Sequence, residues 1–312
     1  MAKPGLDDVF SDWKQREALA EAMIPLIGQL YRRNVVIYIH GVPLFNQSVI
    51  EIMKAHRWVR QLEKNELSEF ETHPMIAVLA TLELAPAHID IGKLAGAYME
   101  DSQGQTVSDY VKTACGDLLG GSAEVTHDAR DVVVYGFGRI GRLVMRLLIE
   151  KAGGGQNLVP RAVVLRPPKD PEKDLKKRAS LLRRDSIHGS FNGTIRVDVD
   201  NHVLICNGIA IKFIYAADPS TIYYPEHDIN EALIIDSTGV WRDEAGLSAH
   251  LLSPGAEKVL LTTSGKGTMK NIVSGVNSHL IEPEDVIVAA ASCTTNAIVP
   301  VLKAINDRYE IE

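Results

Sequence analysis

Cys293 stands where an apolar run meets a helical pattern, in Val286-Ile-Val-Ala-Ala-Ala-Ser-Cys-Thr-Thr-Asn296. This order predicts that the thiol lies at the amino end of a helix, a position that favours the thiolate. A thiolate can add to an aldehyde, and the adduct can lose hydride to a nicotinamide, leaving a thioester for phosphate or water to cleave. A single cysteine is more often a buried structural thiol, so this interpretation depends on a dinucleotide site in the same domain.

A glycine-rich segment supplies that site. Val132-Val-Val-Tyr-Gly-Phe-Gly-Arg-Ile-Gly141 places G-x-G-x-x-G between an apolar strand and an amphipathic helix, the context of a dinucleotide-binding loop. Gly136 permits the tight turn, Gly138 lets the backbone approach a pyrophosphate, and Gly141 lets the helix pack closely on the strand. The N–H groups expected to face the phosphates are those near Arg139 and Ile140.

The second strand of the unit indicates which cofactor is preferred. An NAD site needs a carboxylate after this strand for the adenosine ribose, but Ala162-Val-Val-Leu-Arg-Pro167 has Arg166 there. A guanidinium suits the 2′-phosphate of NADP. Residues 161–184 hold nine Lys or Arg against three Asp or Glu. The segment therefore favours NADP, or use of both cofactors, while a solvated basic surface stays an open alternative.

Apolar runs of strand length alternate with helical patterns in the second half of the chain. The runs lie at residues 132–135, 162–165, 195–199, 209–215, 233–235, 259–261 and 286–290, and the helical patterns at 139–151, 243–252 and 294–307. This alternation predicts an α/β fold with a doubly wound, mostly parallel Rossmann-type sheet. Turn-like Asp200-Asn201 and Asn207-Gly208 predict an antiparallel insertion over residues 195–215.

Residues 1–125 are predicted to form a separate all-α domain. Leu19, Met23, Ile27 and Leu30 have helical spacing, and similar patterns follow at residues 47–65, 67–84, 89–100 and 106–119. Five helices without a strand predict a bundle. The expected boundaries are a linker at residues 126–130, a nucleotide-binding domain at 131–292 and the first helix of a catalytic domain at 293–312.

Composition and charge argue against several function classes. The formal net charge is −7, and neither half has the basic excess of a nucleic-acid-binding protein. No apolar run reaches the length of a membrane span, and the first twenty residues are too charged for a secretory leader. The three scattered cysteines suit neither a disulfide framework nor a metal site. These features predict a cytoplasmic protein without nucleic-acid, membrane or metal partners.

Five segments carry a more specific signal. In order they are Gly136-Phe-Gly-Arg-Ile-Gly-Arg142, Asp185-Ser-Ile-His-Gly189, Asp236-Ser-Thr-Gly-Val240, Gly275-Val-Asn277 and Ala291-Ser-Cys-Thr-Thr-Asn296. Together they resemble the recurrent motifs of the glyceraldehyde-3-phosphate dehydrogenase family and cover residues 131–312, whereas the first 130 residues match nothing in the usual family core. The resemblance implies an oxidoreductase that oxidises an aldehyde phosphate with NADP or NAD. It also implies a sugar phosphate and inorganic phosphate as partners, and a homo-oligomer for the complete chain.

The resemblance also implies roles for individual residues. Cys293 is the expected nucleophile, and Ser292 and Thr294 are expected to contact the substrate or inorganic phosphate. The residues expected beside the cofactor, in addition to those of the glycine segment, are Thr238, Gly239 and the Thr263 hydroxyl. A structural role is expected for His188, and packing for Cys206.

Three features depart from the family pattern. Arg166 replaces the ribose acid, and residues 216–219, Ala-Ala-Asp-Pro, lack the usual arginine before Asp-Pro. The family's catalytic histidine would follow Glu312, so the sequence predicts a truncated chain that is inactive alone. Two alternatives stay open: an erythrose-4-phosphate dehydrogenase, and a non-catalytic nucleotide-binding regulatory or scaffold module.

Overall fold

The computed structural model describes residues 6–63, 67–102, 104–120, 129–152 and 158–310. The chain divides into two compact units, one among the described residues up to 120 and the other from 129 onward. Of the predicted linker, residues 126–128 lie outside the described residues, and Arg130 already begins a strand. The predicted domain bounds stay a prediction. No helix in the described ranges is long and apolar enough to cross a lipid bilayer.

Helices dominate the first unit. They are α1 (Leu6–Arg32), α2 (Val49–Glu63), α3 (Glu69–Thr81), α4 (Ile91–Glu100) and α5 (Val107–Ala114). The apolar residues that predict α1 do face a core, since Met23, Ile27 and Leu30 are buried. Ser68 and Glu71 form a capping box that satisfies N–H groups at the start of α3.

Three short strands correct the expectation that the first unit contains none. They are β1 (Val35–Ile39), β2 (Val42–Pro43) and β3 (Ala87–Asp90), in the sheet order β2-β1-β3. The β-branched run of β1 is buried, but its parallel partner β3 is distant in sequence. A local sequence pattern cannot reveal such a pairing. The sequence of residues 35–39 alone therefore does not distinguish a strand from a link between two helices.

The second unit alternates strands and helices along the chain. Its elements are β4 (Arg130–Tyr135), α6 (Arg139–Lys151), β5 (Leu158–Leu165), α7 (Pro171–Arg183), β6 (Arg184–Asp185), β7 (Gly189–Ser190), β8 (Ile195–Asp198), β9 (Val203–Cys206), β10 (Ile209–Tyr215), β11 (Ala232–Asp236), α8 (Glu244–Leu247), β12 (Ala256–Leu261), β13 (Ile287–Ala289) and α9 (Cys293–Tyr309).

Eight of these strands form one sheet in the order β13-β12-β11-β4-β5-β10-β9-β8. The strands from β13 to β10 are parallel, whereas β9 and β8 form the antiparallel insertion that the turn residues predict. After β4 the chain continues to β5 on one side, and after β11 it continues to β12 on the other side. In doubly wound sheets, ligands bind at the carboxyl ends of two neighbouring strands whose connections diverge in this way. The predicted Rossmann-type fold is confirmed.

Helix α7 was missed by the sequence prediction. Its signals are local: Asp170 caps the helix by accepting the N–H of Lys173 at 3.0 Å, and Pro171 follows at the first turn. An ion pair joins Asp174 to Arg178 at 3.2 Å. The basic surface of the segment hid the narrow apolar stripe that faces the core. That stripe is Leu175, Ala179 and Leu182.

A buried polar pair lies beneath the carboxyl ends of β4 and β11. Asp236 Oδ2 is 2.9 Å from His250 Nε2, and both side chains are fully buried. The rings of Tyr135 and Trp241 lie 4.7 and 5.5 Å from the imidazole, measured between ring centroids. The hydrogen bond with His250 takes the place of the water that the Asp236 carboxylate loses on burial in an apolar core.

We predict that His250→Ala destabilises the second unit by about 3 kcal/mol, because it leaves a buried carboxylate oxygen without its partner. Urea unfolding followed by tryptophan fluorescence measures the change. The exposed His279 is the matched control, and His279→Ala should change the free energy of unfolding by less than about 0.5 kcal/mol. Equal effects of the two substitutions would contradict a supporting role for the buried pair.

Candidate functional site

The glycine loop joins β4 to α6 with little space to spare. Gly136 has φ 91°, and a Cβ there would lie 2.8 Å from Thr238 Cγ2. A Cβ on Gly141 would lie 2.2 Å from the carbonyl oxygen of Gly136. Both positions therefore require glycine. In contrast, a Cβ on Gly138 would meet nothing within 4 Å, so the loop presents open backbone at the position predicted to face a pyrophosphate.

Helix α6 offers an anion site directly after this loop. Its N-cap is Gly138, and no side chain caps it. The first-turn N–H groups, which include those of Arg139 and Ile140, therefore have no capping side chain. Such a helix end attracts phosphate through its N–H groups and its dipole.

The loop after β11 is fixed against the glycine loop by Asp236. One carboxylate oxygen, Oδ1, accepts hydrogen bonds from the backbone N–H and the hydroxyl of Thr238, each at 2.8 Å. The other oxygen is held by His250. Gly239 continues the turn with φ 68°. Of the two residues implied by the family resemblance, Thr238 is thereby brought beside Gly136, and Gly239 follows it in the turn.

A cavity of about 330 Å³ opens between these loops and the end of β5. Arg166 lines it together with Gly136, Thr238 and Trp241. This is where the sequence analysis expects the adenosine ribose. Ala217 also lines the cavity, so the residue that departs from the family's arginine is in the same place.

Arg178 is a lining residue that the sequence analysis missed. It projects from α7, and its Nη1 lies 3.4 Å from the carbonyl oxygen of Phe137 in the glycine loop. The Asp170-Pro171 start and the acid–base pairs at helical spacing are the sequence signals of α7. A helix predicted from them would have placed this side chain on the face toward the cofactor loop. The basic run of residues 161–184 thus divides into an exposed face and two cavity-lining arginines, Arg166 and Arg178.

The turn at residues 185–189 lies against Arg139. Asp185 Oδ1 accepts hydrogen bonds from the N–H groups of Ile187 and His188 and contacts His188 Nδ1, all at 3.0 Å. These donors, followed by the charge of Arg139, hold the pKa of Asp185 well below its usual range. Arg139 Nη2 lies 3.4 Å from Ser186 Oγ. His188 makes its contacts within this turn, and its structural role stays a prediction.

Cys293 is exposed and is the first residue of α9. Ser292 is the N-cap, and its hydroxyl accepts the N–H of Thr295 at 3.0 Å. Ala291 has φ 57°, a left-handed conformation that is costly for a residue with a Cβ. Asn296 Nδ2 donates to the carbonyl oxygens of Ala290 and Ser292, at 2.7 and 2.9 Å, and so braces the turn. The exposed Thr294 follows on the same turn.

The other two cysteines have a different environment. Both are buried, and burial raises the pKa of Cys115 and raises that of Cys206 to about 11. Cys206 packs in the core beside β10, as the sequence analysis expects. Within the described ranges, no group of three or more His, Cys, Asp or Glu side chains could hold a metal ion.

The loops after β12 complete this edge of the sheet. Thr262, rather than Thr263, makes the contact with β11, through its N–H and hydroxyl to the carbonyl oxygen of Asp236, each at 3.0 Å. Thr263 is half-buried two residues beyond β12. Asn277 of the Gly-Val-Asn segment braces the next loop by accepting the N–H of Val273 at 2.7 Å. A second cavity of about 410 Å³ lies between Asn277 and Thr295 of α9.

Comparison with known proteins identifies relatives of this arrangement. Residues 130–244 match the family described as glyceraldehyde 3-phosphate dehydrogenase, NAD binding domain. A glyceraldehyde-3-phosphate dehydrogenase-like protein of Pseudomonas aeruginosa is 52% identical over 292 residues, which cover 93% of this chain and 63% of that protein. A match of this length must extend into the first unit.

Two further relatives are named glyceraldehyde-3-phosphate dehydrogenase without the suffix "-like". Glyceraldehyde-3-phosphate dehydrogenase of Thermotoga maritima is 37% identical over 58% of this chain and 50% of its own. The chloroplastic glyceraldehyde-3-phosphate dehydrogenase A of Scenedesmus vacuolatus is 34% identical over 56% and 52%. The chain thus spans about half to two thirds of the length of these relatives. The loops, the sheet order and these matches agree, and residues 130–244 are a segment of the glyceraldehyde-3-phosphate dehydrogenase family that matches its NAD-binding domain.

Proposed function

We propose that this chain carries the cofactor site and the nucleophile of an aldehyde-phosphate dehydrogenase that acts on glyceraldehyde 3-phosphate. The observation that carries the proposal is the position of Cys293, which is exposed at the amino end of α9. The cysteine follows the carboxyl end of β13, and the glycine loop follows the carboxyl end of β4 in the same parallel sheet. Between β13 and β4 lie three strand spacings, or about 14 Å. An extended dinucleotide across these strand ends would bring its far end toward the thiol.

The residues of the chain fit such a cofactor. The open backbone at Gly138 and the uncapped start of α6 would hold the pyrophosphate, and Thr238 would lie beside it. When bound, the nicotinamide supplies a hydride acceptor. Cys293 would form the bond to the aldehyde carbon and hold the resulting acyl group as a thioester. An oxygen of inorganic phosphate would then attack that carbon and release the thiolate. Ser292 and Thr294, which flank Cys293 in the sequence, are the residues proposed to contact the phosphate.

We predict that iodoacetamide alkylates Cys293 at least about ten times faster than Cys115 or Cys206 at neutral pH. Cys293 is exposed at a helix amino end, whereas burial disfavours the thiolate of the other two. Mass spectrometry of the labelled peptides measures each rate, so the three thiols serve as controls for one another. A Cys293 no more reactive than Cys115 would favour the alternative of a non-catalytic nucleotide-binding module.

Turnover should depend on the same thiol. With glyceraldehyde 3-phosphate and inorganic phosphate, we expect the complete protein to form reduced nicotinamide, and Cys293→Ser to lower kcat by at least about 1,000-fold. Cys115→Ser is the matched control and should retain activity. Parallel assays with erythrose 4-phosphate decide between the two sugar phosphates. Failure of the wild type to turn over either one would rule out the proposed reaction.

We further propose that Arg166 directs the cofactor preference toward NADP, because a guanidinium at the cavity can form charge-assisted hydrogen bonds with a 2′-phosphate. Arg166→Asp should lower the affinity for NADP relative to NAD by about tenfold or more. Calorimetric titration with both cofactors measures the ratio. Lys169→Asp makes the same charge change at an exposed neighbour outside the cavity lining and should leave the ratio nearly unchanged. An unchanged ratio in Arg166→Asp would defeat the assignment.

A further inference from the structure

We propose that Arg178 is a second ligand of the cofactor's 2′-phosphate, so that Arg166 and Arg178 form a two-arginine anion site. This inference rests on the proposed use of NADP. Arg166 follows the carboxyl end of β5 and Arg178 projects from α7, yet both line the cavity of about 330 Å³. Two guanidinium groups thus reach one cavity from separate elements, and guanidinium groups form charge-assisted hydrogen bonds with phosphate oxygens.

The contacts of Arg178 orient its guanidinium and leave a donor available. Nε lies 3.2 and 3.3 Å from the two carboxylate oxygens of Asp174, which fixes the plane of the group. Nη1 points to the carbonyl oxygen of Phe137. Among the described residues, Nη2 has no hydrogen-bond partner. The side chain is 26% exposed, so a ligand in the cavity can still reach it.

The surrounding charges favour an anion. Burial lowers the pKa of Arg142, and the charges of Arg178, Arg139 and Arg146 lower it further, while Asp185 opposes them. Asp174 and Asp185 are already engaged, Asp174 with Arg178 itself and Asp185 with the turn beside Arg139. A phosphate beside Arg178 would offset part of the repulsion between Arg178 and Arg142.

Support of the glycine loop is the alternative role for Arg178. Its contact with the Phe137 carbonyl, at 3.4 Å, is at the outer limit of a hydrogen bond. Arg142 Nη1 also donates to this oxygen, at 3.3 Å. The carbonyl therefore keeps a donor when Arg178 is removed, and the contacts of Nε and Nη1 leave Nη2 for a ligand.

Two probes that differ only by the 2′-phosphate test the site: adenosine 2′,5′-bisphosphate and adenosine 5′-monophosphate. Calorimetric titration of the whole chain should show Arg178→Ala weakening the bisphosphate by about 10-fold to 100-fold and the monophosphate by less than about twofold. Arg178→Lys keeps the charge but loses the planar fork and should give an intermediate loss. If Arg178→Ala does not fold, Arg178→Lys still tests whether Arg178 binds the 2′-phosphate. The exposed Lys177 is the matched control, and Lys177→Ala should bind both probes like the wild type.

Each other outcome has a defined meaning. Equal weakening of both probes would show that Arg178 supports the loop, and no weakening of either would show that it is only a surface ion pair; both results overturn the inference and leave the NADP assignment of Arg166 standing. A wild type that binds the monophosphate as tightly as the bisphosphate would instead refute the proposed preference for NADP itself.

Discussion

The carboxylate of Asp236 is the interaction on which the nucleotide-binding edge depends. It lies at the end of β11, which is parallel to β4 in the sheet, at the point where the strand order reverses. Its Oδ1 fixes the turn that carries Thr238, and its Oδ2 is held by His250. Because Thr238 lies within van der Waals reach of Gly136, the position of one loop limits the other. A carboxylate in so apolar a place is stable only while both oxygens are bonded, so fold stability and site geometry are coupled.

Charge at the cavity is set by the connection between β5 and α7. In this chain the connection brings arginine rather than a carboxylate to the end of β5, and α7 carries a second arginine back to the same cavity. Among the acids of α7, Glu172 pairs with Lys176 on the exposed surface and Asp174 pairs with the cavity-lining Arg178. The described residues that line the cavity include two arginines and no acid. This physical difference separates the site from an NAD site built around an acid at that strand end, and it is the basis for the proposed phosphate recognition.

The cysteine turn depends on a different balance. A left-handed Ala291 is strained, and the amide of Asn296 offsets this cost by bonding to carbonyl oxygens on both sides of it. The turn ends β13 and begins α9 abruptly, so that Cys293 is exposed while the preceding strand is packed. Strain at such a position is expected where a side chain must be presented outward. Cys115 and Cys206 lie within packed elements and are covered.

The sequence by itself determined the local features, because strand runs, glycine spacing and the strand-to-helix order at Cys293 are written in neighbouring residues. It predicted the parallel sheet, the antiparallel insertion, the glycine loop and the position of Arg166. Tertiary structure alone decided the pairing of β1 with β3, the burial of His250 against Asp236, and the position of Arg178 in the cavity that Arg166 also lines. Each of these joins residues from separate elements, and no local pattern encodes which elements will meet. The polar face of α7 also concealed a helix whose stability comes from packing on the sheet.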